Sequence, residues 1–199
     1  MFVLKRWVDP EEWGRFAWSA LYYAESQLIR NDMKELIHTL PMGLPCTACR
    51  KGTFRFLDTN PIAESHLVSW MSSLQQEIRK KNLDSGYISK ATATLQGHFA
   101  PTAKQQPMIS LKPKDMYVFD TLMFMALILL TCENIYQLEI MKAIQLLGKS
   151  IGLKLLTFST PSYQPKTILR WLCQLEPFRS KSFRLAFFAV LSCIKFHKV

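Results

Sequence analysis

The segment Gly43-Leu44-Pro45-Cys46-Thr47-Ala48-Cys49 interrupts one helical stretch and opens the next. Two cysteines three apart fall on the same side of one helical turn, close enough to form a small, reducible disulfide. Proline is tolerated at or just before a helix start, because the N–H it lacks would have no partner there. The run from Thr47 to Leu57 can continue as helix, which places Cys46 at a helix N-terminus. Free backbone N–H groups and the positive end of the helix dipole stabilise a thiolate at that position. Arg50 and Lys51 add cationic charge one turn further on. The same spacing also suits half a zinc site or a pair of reduced core thiols. Zinc takes four ligands, normally two such pairs or one pair with two spaced histidines. Cys132, Cys173 and Cys193 are single and far apart, and His38, His66, His98 and His197 show no paired spacing, so no metal site is expected.

Upstream of this segment, Asp9-Pro10-Glu11-Glu12 reads as a capped helix start, with an N-cap aspartate, proline at the first helical position and glutamate at the third. The helix it opens carries Trp13 and Ala17 on one face and Trp18, Leu21, Tyr22 and Glu25 on another. Trp13 and Phe16 read as core aromatics, whereas Trp18 and Tyr22 share a stripe that can wall a flat ligand. A second helix is expected from Asp32, with Glu35 as its capping partner and Met33, Leu36, Ile37 and Leu40 as its apolar stripe. Downstream, the CxxC helix carries Phe54, Phe56 and Leu57 and ends near Asn60-Pro61. A fourth helix is expected from Glu64 or Ser65. It turns Leu67, Trp70, Met71, Leu74 and Ile78 inward and closes on Arg79-Lys80-Lys81.

From Asp84 to Lys114 the periodicity disappears into Ser, Thr, Gln, Gly and Pro, which reads as a linker or long surface loop. Helical pattern resumes at Asp115, runs through Cys132, restarts at the Asn134 to Gln137 capping pair and reaches about Gly148. Thr157 to Gln164 is a further break, Pro165 opens another helix, and a last helix is expected over about Ser182 to Phe196. No strand alternation stands out, so an all-α protein is expected. Its division is residues 1–84 around the CxxC, a linker over 85–114, and a further helical region over 115–199.

The apolar runs between Asp120 and Glu133 and between Arg184 and Lys195 fall short of the roughly 18 to 20 residues that span a bilayer, so both read as buried helices. The start, Met1 to Trp7, has no apolar core or cleavage site of a signal peptide, and a soluble protein is expected. The chain carries a net charge of +10, and residues 83–199 hold +8 of it. The basic residues are dispersed, with no arginine-rich run or nucleic-acid motif, so the excess reads as a solvated surface rather than a nucleic-acid site.

Taken together, Trp13-Gly14-Arg15 with Trp18, then Pro45-Cys46-Thr47-Ala48-Cys49, Phe56 and Asn60, then Trp70 with Ile78, Lys80 and Lys81, resemble the flavin-linked sulfhydryl oxidases of the Erv/ALR family over residues 9 to 82. Small single-CxxC members occur in large DNA viruses, and this chain looks like one of those. The resemblance implies a four-helix bundle that binds FAD, oxidises protein dithiols through the CxxC and passes the electrons to molecular oxygen. It implies Cys46 and Cys49 as the catalytic pair, with Cys46 the more exposed, exchanging sulfur and Cys49 the flavin-proximal one. Gly14, Arg15, Trp18, Tyr22, Trp70, Gln75, Ile78 and Arg79 fall where the cofactor contacts would lie. It further implies a host cytoplasmic or virion-associated location, and leaves a homodimer open. Two departures stand out. Tyr22 occupies a histidine position of the family, and its His-Asn-x-Val-Asn pattern reads Gln75-Gln76-Glu77-Ile78-Arg79 here. Glutamine can replace histidine as a hydrogen-bond donor, and tyrosine can stack on a flavin or adenine ring. Two other readings stand beside this one: a flavin-free helical structural or interaction protein, and a basic nucleic-acid-binding protein.

Overall fold

A computed structural model of the chain describes residues 6–62, 67–84, 113–131, 138–153 and 165–198. These residues form an all-α protein. The helices are α1 (Pro10–Gln27), α2 (Arg30–Gly43), α3 (Thr47–Thr59), α4 (Leu67–Asp84), α5 (Pro113–Thr131), α6 (Leu138–Ser150), α7 (Pro165–Leu172) and α8 (Lys181–Cys193). A 3-10 turn over Glu176–Arg179 precedes α8. That turn and a two-residue antiparallel ladder are additions to the expected helices. In the ladder β1 (Arg6–Trp7) pairs with β2 (His197–Lys198), Arg6 opposite Lys198 and Trp7 opposite His197. Most of the expected linker, the helix start at Glu64 or Ser65, Cys132, the Asn134 to Gln137 capping pair and the break over 157–164 lie outside the described residues. Among the described residues, no helix is long and apolar enough to cross a membrane.

The chain divides into two compact units, residues 1–51 with 109–199, and residues 52–108. The boundary therefore falls inside α3 and not at the expected residue 84. The physical reason is that α1 packs on α5 and α2 on α6, so the first two helices bury their faces on the second half of the chain. On α1 the buried residues Trp13, Phe16, Ala17, Ala20, Leu21 and Ala24 repeat at helical spacing, and the three alanines allow close approach of a partner. Tyr23 stacks on Tyr117 at 4.8 Å and Trp13 on Phe124 at 6.1 Å, contacts whose order makes α1 and α5 antiparallel. Leu122 through Ile128 of α5 are all fully buried, as a helix that is apolar nearly all round requires. The C-terminal helix closes over its first turns, where Phe119 meets Phe183 and Phe187 edge to face, and Phe187 in turn meets Phe178 of the 3-10 turn.

Two sequence signals for helix caps serve other purposes. Asp9 stands at the N-cap of α1 without a side-chain capping bond, and the Glu12 carboxylate accepts the Lys195 N–H at 2.8 Å, which ties the C-terminal strand to the start of α1. Helix α2 begins at Arg30 rather than Asp32, and its two acids face α6, where Asp32 pairs with Lys149 and Glu35 with Lys142 at 3.3 Å. In the second unit, Met71 and Leu74 of α4 are buried with Trp70. The Trp70 indole N–H donates to the Asn60 carbonyl at 2.7 Å, and its ring meets the edge of Phe56 at 5.3 Å.

Candidate active site

Cys46 and Cys49 lie at disulfide distance, with Cα atoms 5.2 Å apart. Helix α3 starts at Thr47, which makes Cys46 its N-cap. The Cys46 carbonyl accepts the Arg50 N–H at 3.0 Å, the first bond of the helix. Its Sγ accepts the Cys49 N–H at 3.2 Å, as a serine or aspartate oxygen does at this position. Sulfur thus takes one of the donors that every helix start leaves without an intrahelical partner.

Three features hold this helix start in place. Pro45 offers its carbonyl to the Val8 N–H at 3.0 Å, so the segment before α1 anchors the loop. Arg50 is 6% exposed, and its Nε donates to the Leu44 carbonyl at 2.7 Å, reaching back over the loop from the first turn of α3. Gly43 ends α2 against α5, where an added Cβ would stand 3.0 Å from Ile128 Cγ2. Arg50 is therefore a buried tether and not only the nearby charge that its position suggests, while Lys51 is exposed. Val8 and Leu44 act through main-chain atoms, for which the sequence carries no signal.

The expected order of exposure is reversed. Cys46 is buried, at 8% exposure, beside buried Leu44 and Pro45, whereas Cys49 is partly exposed and adjoins the exposed Ala48. The N-cap position would leave Cys46 open if the chain before it ran out into solvent. Here that chain is fastened down by Val8 and Arg50. Of the other described cysteines, Cys173 is partly exposed and Cys193 exposed. Among the described residues, no three His, Cys, Asp or Glu side chains gather as a metal-binding group.

The residues expected to contact a cofactor divide between the two units. In the first, Trp18 and Tyr22 stand as a half-buried pair with ring centroids 6.3 Å apart and planes at 38°. Gly14 is half-buried, with open space where a Cβ would point. The Arg15 guanidinium lies over the Phe16 ring at 4.4 Å, and its charge also acts on Asp120. Burial pushes the Asp120 carboxyl above its usual range, against the opposing effects of a hydrogen bond with Ser19 and the charge of Arg15. In the second unit, Trp70 is committed to Asn60 and Phe56 and serves the packing of α4. Gln75 and Ile78 are half-buried on the same helix, and the Arg79 side chain lies outside the described residues. One member of the tryptophan helix also has a feature the sequence did not disclose: the buried Trp13 indole N–H has no hydrogen-bond partner among the described residues.

No protein-family model, curated protein or solved structure matches this chain.

Proposed function

We propose that the chain is a thiol oxidase that forms disulfides in protein dithiols through the Cys46–Cys49 pair, with FAD and then molecular oxygen as electron acceptors. The observation that carries the reading is the placement of a cysteine pair at disulfide distance on a helix N-terminus, with Cys46 Sγ accepting a backbone N–H. A sulfur so placed is stabilised as a thiolate and leaves readily in exchange. The flavin part of the reading rests on the resemblance of residues 9 to 82 to the sulfhydryl oxidases and on the Trp18–Tyr22 surface. FAD, when bound, supplies the two-electron acceptor that returns the dithiol pair to a disulfide. Trp18 and Tyr22 would hold its ring, and Gly14 and Arg15 flank them on the same helix. The chain's own part is to present one sulfur to the substrate thiolate and to stabilise the other as it departs. It also keeps the helix start rigid through Val8 and Arg50 while the bond opens and closes.

A flavin-free helical interaction protein is the second reading, and the commitment of Trp70 to Asn60 and Phe56 favours it. Absorbance separates the two. The purified chain is expected to carry flavin absorbance and to consume oxygen when given a dithiol. A colourless protein of full helical content that fails to take up added FAD would sink the oxidase reading.

A further inference from the structure

We propose that the C-terminal strand β2 is a strap that sets how readily the Cys46–Cys49 pair exchanges with outside thiols. The inference rests on the disulfide-exchange reading and adds the element that controls it. A short main-chain path leads from β2 to the pair. Trp7 of β1 pairs with His197, and Arg6 with Lys198. The next residue, Val8, is buried and donates its N–H to the Pro45 carbonyl at 3.0 Å. Pro45 is bonded directly to Cys46. Residues 6–8 therefore meet the ladder at one end and the loop that opens α3 at the other.

The strap is fastened before it reaches the ladder. Lys195, two residues ahead of β2, donates its N–H to the Glu12 carboxylate at 2.8 Å, and Glu12 stands in the first turn of α1. The chain after α8 thus crosses to the start of α1 and runs on beside β1. Glu12, read from the sequence as a capping residue, serves as the buckle of this crossing.

A strap controls a site only if it releases before the rest of the protein does. A two-stranded ladder is marginal in water even when longer, and this one has two residues a strand. Helix α1, in contrast, is held along its buried face by α5. Opening of the ladder belongs to the low end of the scale of local unfolding, well below opening of the α1–α5 core. With β2 released, Arg6 and Trp7 lose their pairing, and the Val8 bond to Pro45 loses the neighbour that fixes it. The loop before Cys46 then gains freedom, and exchange, whose rate depends on access to the sulfurs, becomes faster.

The test uses the full oxidised chain and two variants of it. His197→Pro combined with Lys198→Pro removes both backbone donors of β2, and Glu12→Ala removes the acceptor of Lys195. Dithiothreitol is the probe: it gives up two electrons and two protons and closes to its cyclic disulfide, while the Cys46–Cys49 bond opens to two thiols. Iodoacetamide capping and mass spectrometry read the rate, and hydrogen exchange at the Val8 amide reports release of the strap. Both variants are expected to exchange faster at Val8 and to be reduced at least about fivefold faster, the factor that one main-chain hydrogen bond typically carries. That gain should stay flat in urea below the unfolding transition, since local opening exposes little surface. Unchanged reduction with faster Val8 exchange would overturn the strap, as would Val8 exchange that neither variant alters. A gain that climbs steeply with urea would assign the effect to global stability and overturn it too. If the proline variant fails to fold, Glu12→Ala carries the same outcomes. A wild-type pair that dithiothreitol reduces only in unfolding urea would sink the exchange reading together with the strap.

Discussion

Arg50 brings a guanidinium into a place where 6% of its residue surface meets solvent, and spends one donor on a main-chain carbonyl of the loop it covers. Removing it leaves the Leu44 carbonyl without that donor and the loop before Cys46 without its cover. Arg50→Ala is therefore expected to lower unfolding free energy by about 1–3 kcal/mol, and to speed reduction of the disulfide by dithiothreitol because Cys46 becomes accessible. Lysine is not expected to restore the native value, since it lacks the planar fork that fits this reach. A urea midpoint unchanged in Arg50→Ala would mean the tether contributes little. Asp120 makes a second residue-scale case, with a defined sign. Its carboxyl is raised from 3.8 chiefly by desolvation, so the folded state holds the proton more tightly than the unfolded state. Its contribution to stability is fully present below the unfolded value and is lost as pH rises through the folded one. Asp120→Asn is expected to flatten that part of the pH–stability curve and to raise the urea midpoint at neutral pH. A curve that keeps its slope in the variant would assign the dependence to other groups. At this scale the sequence disclosed that Cys46 would start a helix. It could not disclose that Cys46 would be the buried partner, because the cover comes from Val8, far upstream, and from a side chain that spacing presented only as charge.

Helix periodicity is the signal that survives best, because the apolar stripe of each element is fixed by 3.6 residues per turn whatever the stripe packs against. Trp13 with Ala17, the Met33-Leu36-Ile37-Leu40 run and Trp70, Met71 and Leu74 of the α4 face are buried, while Leu67 and Ile78 at the edges of that face are half-buried. Capping signals survive less well, since an aspartate or glutamate in a first turn can turn outward to a different partner. Glu12 turns to Lys195, and Asp32 and Glu35 to the lysines of α6. Glycine at the end of α2 is a third case, legible as a helix stop but not as a contact. At Gly43 a Cβ would press on Ile128 Cγ2, and Ile128 is fully buried in α5, so its methyl has little room to retreat. Gly43→Ala is expected to cost about 1–3 kcal/mol by overpacking. Trimming the neighbour with Ile128→Ala costs stability by itself, but the double variant should be less destabilised than the sum of the two by about 0.5–3 kcal/mol, the coupling range for touching residues. Strict additivity in that double-mutant cycle would show that the contact is not what glycine serves here.

The largest question at the scale of the chain is which parts can fold without which. Residues 1–84 contain everything that resembles a sulfhydryl oxidase, yet α1 and α2 bury their apolar faces on α5 and α6, and these lie beyond that stretch. Helix α5 alone places Leu122, Met123, Phe124, Met125, Leu127 and Ile128 out of solvent. A fully buried side chain of this size contributes about 1.5–3 kcal/mol, so losing that face removes an amount comparable to the roughly 5–15 kcal/mol that stabilises a whole domain. A fragment of residues 1–84 would also keep Trp13 and Tyr23 without the rings of Phe124 and Tyr117. The fragment is expected to aggregate, or to show partial helix by circular dichroism that melts without a cooperative transition. The full chain is expected to unfold residues 1–51 and 109–199 in one step. Its Cys46–Cys49 pair should report the same loss, since Val8, Leu44 and Arg50 fix the helix start only while α1 and α2 are in place. Reduction of the fragment's disulfide by dithiothreitol should then approach the rate of the urea-unfolded full chain. A fragment that stays soluble, melts cooperatively and resists reduction as the full chain does would show that the oxidase-like stretch is self-sufficient, and that the second half serves another task.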